Sequence, residues 1–278
     1  MDTVTGNAIS RAGYHLQEPD QPTTIALKEF STFFLTKTTL SEFRSEKELD
    51  FLRPGLYGIQ RVKGSTSFKQ IAKIEGLILI PGREVTQREK SLKGITSKVT
   101  DRRYVLLTFH PFKDATLRQR ANRLAWRTPL IPIRPGLLIS PHTRASRFRA
   151  YEKILLRPSE YIRRIVDLGK TVWYAPKLKL LQINQEHLIE KWIQETFEER
   201  AAFILNRCNT LLQESKANST QSHSNKQVNQ KLSLLRKRLQ QIRAQSFYFE
   251  REVGFDHSPI VHRVAAKVSR VRHKLMNT

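Results

Sequence analysis

The sequence predicts an α+β protein with a helical carboxy-terminal region, and three observations predict it. Residues 103 to 141 read as strand, helix and paired strands, and a further helix and strand follow up to Tyr174. From Glu186 to the end the apolar residues recur at helical spacing. Between residues 25 and 99 short strands and helices alternate, each bounded by Gly, Pro or Ser.

Taken in order, residues 1–24 are polar and slightly acidic and contain Pro19 and Pro22, which predicts a flexible leader. The segment 25–99 is a small α+β module. Leu27, Phe30, Phe34 and Leu35 share one helical side and predict a helix over Ile25 to Phe34, with a polar helix over Leu40 to Leu49. Strands are expected at Leu56 to Ile59 and Leu77 to Ile80, with a Ser-capped helix over Ser65 to Ile74 between them. The module has the size of a winged helix, whose recognition helix would be 65–74 with Lys69 and Lys73; a cap that only packs on the middle domain fits equally.

The middle segment, 100–182, is the most regular. Tyr104 to Phe109 is bulky, β-branched and aromatic, as a buried strand requires, and Asp114 can cap the helix that follows through Leu117, Leu124 and Trp126. Strands at Leu130 to Ile133 and Leu137 to Ile139 flank a tight Arg134–Pro135–Gly136 turn. A helix with Phe148, Tyr151 and Leu155 breaks at Pro158 and resumes over Ser159 to Leu168, stopping at Gly169. Thr171 to Tyr174 supplies another strand. Gly-Leu pairs head apolar strands at residues 55, 76 and 136, and two of them follow Arg-Pro. The unequal spacing around them favours convergent turns over a repeat.

The long helix of 183–214 carries Leu188, Trp192, Phe197, Ala201, Ile204, Cys208 and Leu211 on one stripe, which suits packing or a homodimer. Residues 215–228 are Ser-, Asn-, Gln- and Lys-rich and predict a disordered linker. The tail, 229–278, is basic and helical. Its first helix, Lys231 to Ala244, has the stripe Leu232, Leu235, Leu239, Ile242, and its second starts at Ser258-Pro259 with the stripe Ile260, Val264, Val268, Val271, Leu275.

Charge points to the partner. The 278 residues hold 49 Lys+Arg against 25 Asp+Glu, a formal charge of +24, with 39% hydrophobic residues. The excess concentrates in 103–169 and 216–278, on either side of a neutral 170–215. A polyanion is the partner this implies, DNA ahead of RNA, with phosphate contacts from Arg118, Arg120, Arg123 and Arg127 on the middle helix and from Arg236, Arg238, Arg270 and Arg272 on the tail. The lone Cys208 excludes an internal disulfide and points to a reducing cytoplasm. No apolar run is long enough to span a membrane, and the first 24 residues lack a signal-peptide core. No nucleotide-binding loop, zinc-spaced His or Cys set or nucleophile elbow occurs, so no cofactor, metal or enzymatic activity is expected.

The string RLAWRTPLIPIRPGLLISPH, Arg123 to His142, resembles the middle domain of the phenylacetate-type (PaaX) transcriptional repressors. Chromate-resistance regulators (ChrB) have a similar helix and strand. The likeness extends as an arrangement from about Arg103 to Phe249, and Phe197, Arg200 and Phe203 share that family's helix flavour. The resemblance implies a ferredoxin-like middle domain in a repressor-like DNA-binding regulator. The family's clear helix-turn-helix is not found between Ile25 and Lys98. The same domain shape occurs in a small CRISPR spacer-acquisition nuclease, which needs an Asp where this chain has Thr108, Phe109 and His110. An RNA-binding protein is the alternative, and a metal-dependent nuclease through His110 or Asp114 is the third.

Overall fold

In the computed structural model, described residues are 16, 19–37, 50–60, 75–81, 102–181, 185–217 and 224–276. The helices expected over 40–49 and 65–74, and with them Lys69 and Lys73, lie outside them. Two compact units interleave along the chain: residues 1–111, 132–139 and 165–188 form one, and residues 112–131, 140–164 and 189–278 the other.

The first unit is built on a sheet whose strands, among the described residues, are β1 Thr24–Ala26, β2 Phe30–Leu35, β3 Asp50–Arg53, β4 Leu56–Gln60, β5 Leu77–Pro81, β6 Tyr104–Thr108, β7 Ile131–Arg134, β8 Leu137–Pro141 and β9 Val172–Leu180. Neighbours run β3-β4-β2-β5-β9-β6-β8-β7, with β1 added beside β9. The strands of 25–99 and those of 100–182 therefore belong to one sheet, joined where Leu79 faces Leu180 and Pro81 faces Leu178, antiparallel. β1 pairs parallel with residues 172–174 of β9.

The expected helix over Ile25 to Phe34 is corrected to β1 and β2. All six residues of Phe30–Leu35 are buried, and the spacing of Leu27, Phe30, Phe34 and Leu35 fits a strand covered on both faces as well as a helix. Aromatic and β-branched content decides: β2 lies between β4 and β5, and buried Ser31 donates its hydroxyl to the Ile59 carbonyl. The leader expected over 1–24 also departs from expectation, since Thr24 already belongs to β1 and Val172 N–H donates to the Thr23 carbonyl at 2.9 Å. Leu16 is buried, and its carbonyl accepts from the His110 ring at 3.0 Å.

The strand order reads the same from both ends. β3, β4, β2 and β5 occupy on one side the places that β7, β8, β6 and β9 occupy on the other. The hairpins correspond in detail: Arg53-Pro54-Gly55-Leu56 and Arg134-Pro135-Gly136-Leu137 both turn through a glycine at positive φ, 82° and 75°. Thr36 N–H donates to the Gly55 carbonyl at 3.0 Å, and Phe109 N–H to the Gly136 carbonyl at 2.9 Å. The arginines cross over. Arg53 donates to Thr108 Oγ1 (2.7 Å) and to the carbonyls of Phe109, Gly136 and Pro135, while Arg134 donates to those of Thr36 and Lys37. The Gly-Leu echo at residues 55 and 136 is thus a structural repeat rather than two unrelated turns, whereas Gly76 simply precedes β5.

The second unit is helical. α1 is Ala115–Ala125, α2 Ala145–Phe148, α3 Pro158–Asp167, α4 Glu186–Ala217, α5 Ser224–Val253 and α6 Ser258–Met276. Asp114 caps α1, its carboxylate accepting from Leu117 N–H at 2.7 Å. α4 and α5 run antiparallel, since Phe197 meets Phe249, buried Arg200 meets Gln245 and Glu214 meets Lys231. The predicted stripe of α4 is buried from Leu188 to Leu211, and that of α5 from Leu232 to Ile242. On α6 the stripe is Val261, Val264, Val268 and Val271; Ile260 is only half-buried, since Val261 is the residue three before Val264. The linker expected over 215–228 is corrected at both ends, because α4 continues to Ala217 and α5 starts at Ser224. Ser, Asn, Gln and Lys do not forbid a helix when the flanking stripes are anchored.

Candidate nucleic-acid interface

Two arginines of the second unit, Arg200 and Arg238, meet over Trp126. This residue ends α1, where the carbonyls have no helical partner, and two buried side chains supply donors. Gln245 on α5 donates to the Trp126 carbonyl at 2.8 Å and the Thr128 carbonyl at 3.1 Å; Arg200 on α4 donates to the Ala125 carbonyl at 3.3 Å and to Gln245. A cation at a helix carboxy end also meets the dipole favourably. The backbone at the end of α1 is thereby tied to α4 and α5.

Two guanidiniums lie over the Trp126 ring, and a third lines the cavity beside it. Arg238 lies 4.6 Å from the Trp126 ring centroid and Arg200 5.4 Å. Arg123, one turn before Trp126, bonds Gln119 at 3.1 Å. Among the described residues none of the three forms an ion pair. Burial pushes Arg238 down from the usual guanidinium range, and Arg123 adds to it; burial takes Arg200 down to about 10, with Arg238 adding and Glu199 opposing. Gathering like charges costs stability until an anion relieves them.

Next to this cluster opens a cavity of about 540 Å³. Its apolar wall is Trp126, Leu211, Leu235 and Phe203, with Phe203 44% exposed and its ring 5.5 Å from that of Trp126. Its charged rim is Arg123, Arg207, Arg238 and Lys231, against one acid, Glu214, which Lys231 already holds at 2.6 Å. Arg207 lies 5.7 Å from the Phe203 ring. Such a site can stack a planar group and bond an anion beside it.

Of the arginines expected to contact phosphate, Arg123 and Arg238 are brought together here. Arg118 and Arg120 are exposed on α1 and Arg127 is half-buried; Arg236 is exposed on α5, and Arg270 and Arg272 on α6, none of them lining the cavity. Arg200, Arg207 and Phe203 were missed as site residues. The signal was present in Phe197-x-x-Arg200-x-x-Phe203-x-x-x-Arg207, but a helix alone does not say which face meets Trp126.

His110 and Asp114 have structural partners. His110 bonds Leu16 and lies edge-on to Trp173 at 5.5 Å, and Asp114 is the α1 cap. Cys208 is buried, and burial pushes its thiol up, with Lys267 opposing in part. Among the described residues no group of three or more His, Cys, Asp or Glu is placed to hold a metal, and no helix is long and apolar enough to cross a membrane. Comparison with family models, curated proteins and solved structures finds no match.

Proposed function

We propose that this protein binds nucleic acid through its helical unit, contacting the phosphate backbone with arginines. The observation that carries this is the gathering of Arg200 and Arg238 over Trp126, with Arg123 lining the cavity beside them, none of the three paired to a carboxylate among the described residues. The charge of +24 supports it. At the finer level the Arg123 to His142 resemblance favours a DNA-binding regulator of repressor type. The order β6-α1-β7-β8-α3-β9, with neighbours β9-β6-β8-β7, supports its ferredoxin-like reading. The homodimer is not carried forward, since the α4 stripe that prompted it is buried within the chain.

A second reading, RNA or single-strand binding, is favoured by the exposed Phe203 ring among arginines, a feature suited to unpaired bases. Competition separates the two. Labelled duplex DNA bound to the protein is challenged with unlabelled duplex and with RNA of equal length. The regulator reading expects displacement by duplex alone; equal displacement by RNA rejects it. Absence of any binding at low salt rejects nucleic acid as the partner.

A further inference from the structure

We infer that the cavity beside Trp126 accepts one unpaired nucleobase, stacked on Phe203, with the adjoining phosphate held by Arg123 and Arg238. The inference rests on the nucleic-acid reading above and adds to it a place for a base. Charge alone needs no cavity, because phosphates can be met on any exposed helix face. Here the apolar and charged parts are adjacent: a ring exposed by 44%, a second exposed apolar side chain in Leu234 at 57%, and cations on the rim. An exposed Phe and an exposed Leu lining one cavity give a flat apolar occupant surface to bury against.

The charges say which flat occupant. With Glu214 engaged by Lys231, Arg123, Arg207 and Arg238 remain on the rim without a carboxylate partner among the described residues, so the occupant carries negative charge next to its planar part. A base and its own phosphate supply both within one nucleotide. A base held in a duplex offers its face to its neighbours, so the strand must be unpaired. The walls are also pre-set. The backbone of Ala125 and Trp126 is tied by Arg200 and Gln245, and Phe203 lies on a 32-residue helix whose stripe is buried. Little ordering is left for binding to impose.

The test uses the full chain and three fluorescent probes of equal length: a pyrimidine single strand, the same strand with abasic positions, and a duplex. The single strand is used in deoxyribo and ribo forms, so that the sugar it requires is identified. The intact strand is expected to bind about tenfold more tightly than its abasic counterpart, and Phe203→Ala to remove about that factor for the intact strand only. Phe203→Tyr, which keeps a stacking face, is expected to restore it. The salt slope should stay unchanged in Phe203→Ala, because no phosphate contact is lost. Equal affinity for intact and abasic strands, with Phe203→Ala silent, overturns the base pocket and leaves the phosphate reading standing. Failure of every probe to bind at low salt overturns both.

Discussion

Arg53 and Arg200 are buried cations held by carbonyl, hydroxyl and amide oxygens rather than by carboxylates. Burial pulls Arg53 down to about 10, yet it remains protonated at neutral pH, and its donors serve four acceptors at once. Arg53→Met takes this donor from the Thr108 hydroxyl and the Phe109 and Pro135 carbonyls, while the Gly136 carbonyl keeps Phe109 N–H, and is expected to lower stability by about 2–3 kcal/mol in a denaturant titration. His257 links stability to pH. It is buried at the start of α6, its ring stacked on Phe197 at 4.7 Å, and burial lowers its pKa against the opposing pull of Glu190 and Asp256. The unfolded state therefore binds the proton more readily, so the stabilisation is present above the ordinary value near 6.5 and is lost as pH falls through the lower folded value. His257→Phe keeps the stack, and its melting temperature should fall less than that of the unaltered protein between pH 7.5 and 5.5.

Helix and hairpin boundaries are where local chemistry is clearest. Asp114→Ala removes the α1 cap and should cost about 1 kcal/mol, measured by thermal unfolding. At Gly136 a Cβ would run into the Phe109 carbonyl and the Arg53 guanidinium, so Gly136→Ala adds a clash to the positive-φ strain and should cost more than about 2 kcal/mol. Gly55→Ala, facing Arg134 and the Thr36 carbonyl, should behave alike. These boundaries were legible because caps and turns depend on residues within four positions: Asp114, Pro135-Gly136, Gly169 and Ser258-Pro259 all stand at or beside observed ends. Phe30–Leu35 was not, since a strand buried on both faces loses the alternation that distinguishes it from a helix. The Trp126 cluster was legible only in part. Arg123 could be read from its helix, but Arg200, Arg238 and Gln245 reach Trp126 only through tertiary packing.

For the whole molecule, electrostatics sets how binding responds to salt. Each phosphate contact contributes a slope of about −0.9 in log affinity against log salt on duplex DNA and about −0.7 on a single strand. Arg236→Gln, exposed on α5, should reduce the slope by about one contact while leaving base preference unchanged, as read by anisotropy over a salt series. No change in slope removes Arg236 from the interface.

The mirrored strand order carries a consequence for assembly. β5 and β9 meet edge to edge as counterparts from the two halves of the sheet, in antiparallel register. Because each chain carries both, β5 of one copy can find in the β9 of another the same hydrogen-bonding edge that its own chain offers. Refolding at high concentration should therefore trap exchanged dimers whose sheets match the closed form, whereas refolding at high dilution should yield monomers. Light scattering after the two protocols distinguishes them, and identical size distributions would show that the closed register forms before chains can meet.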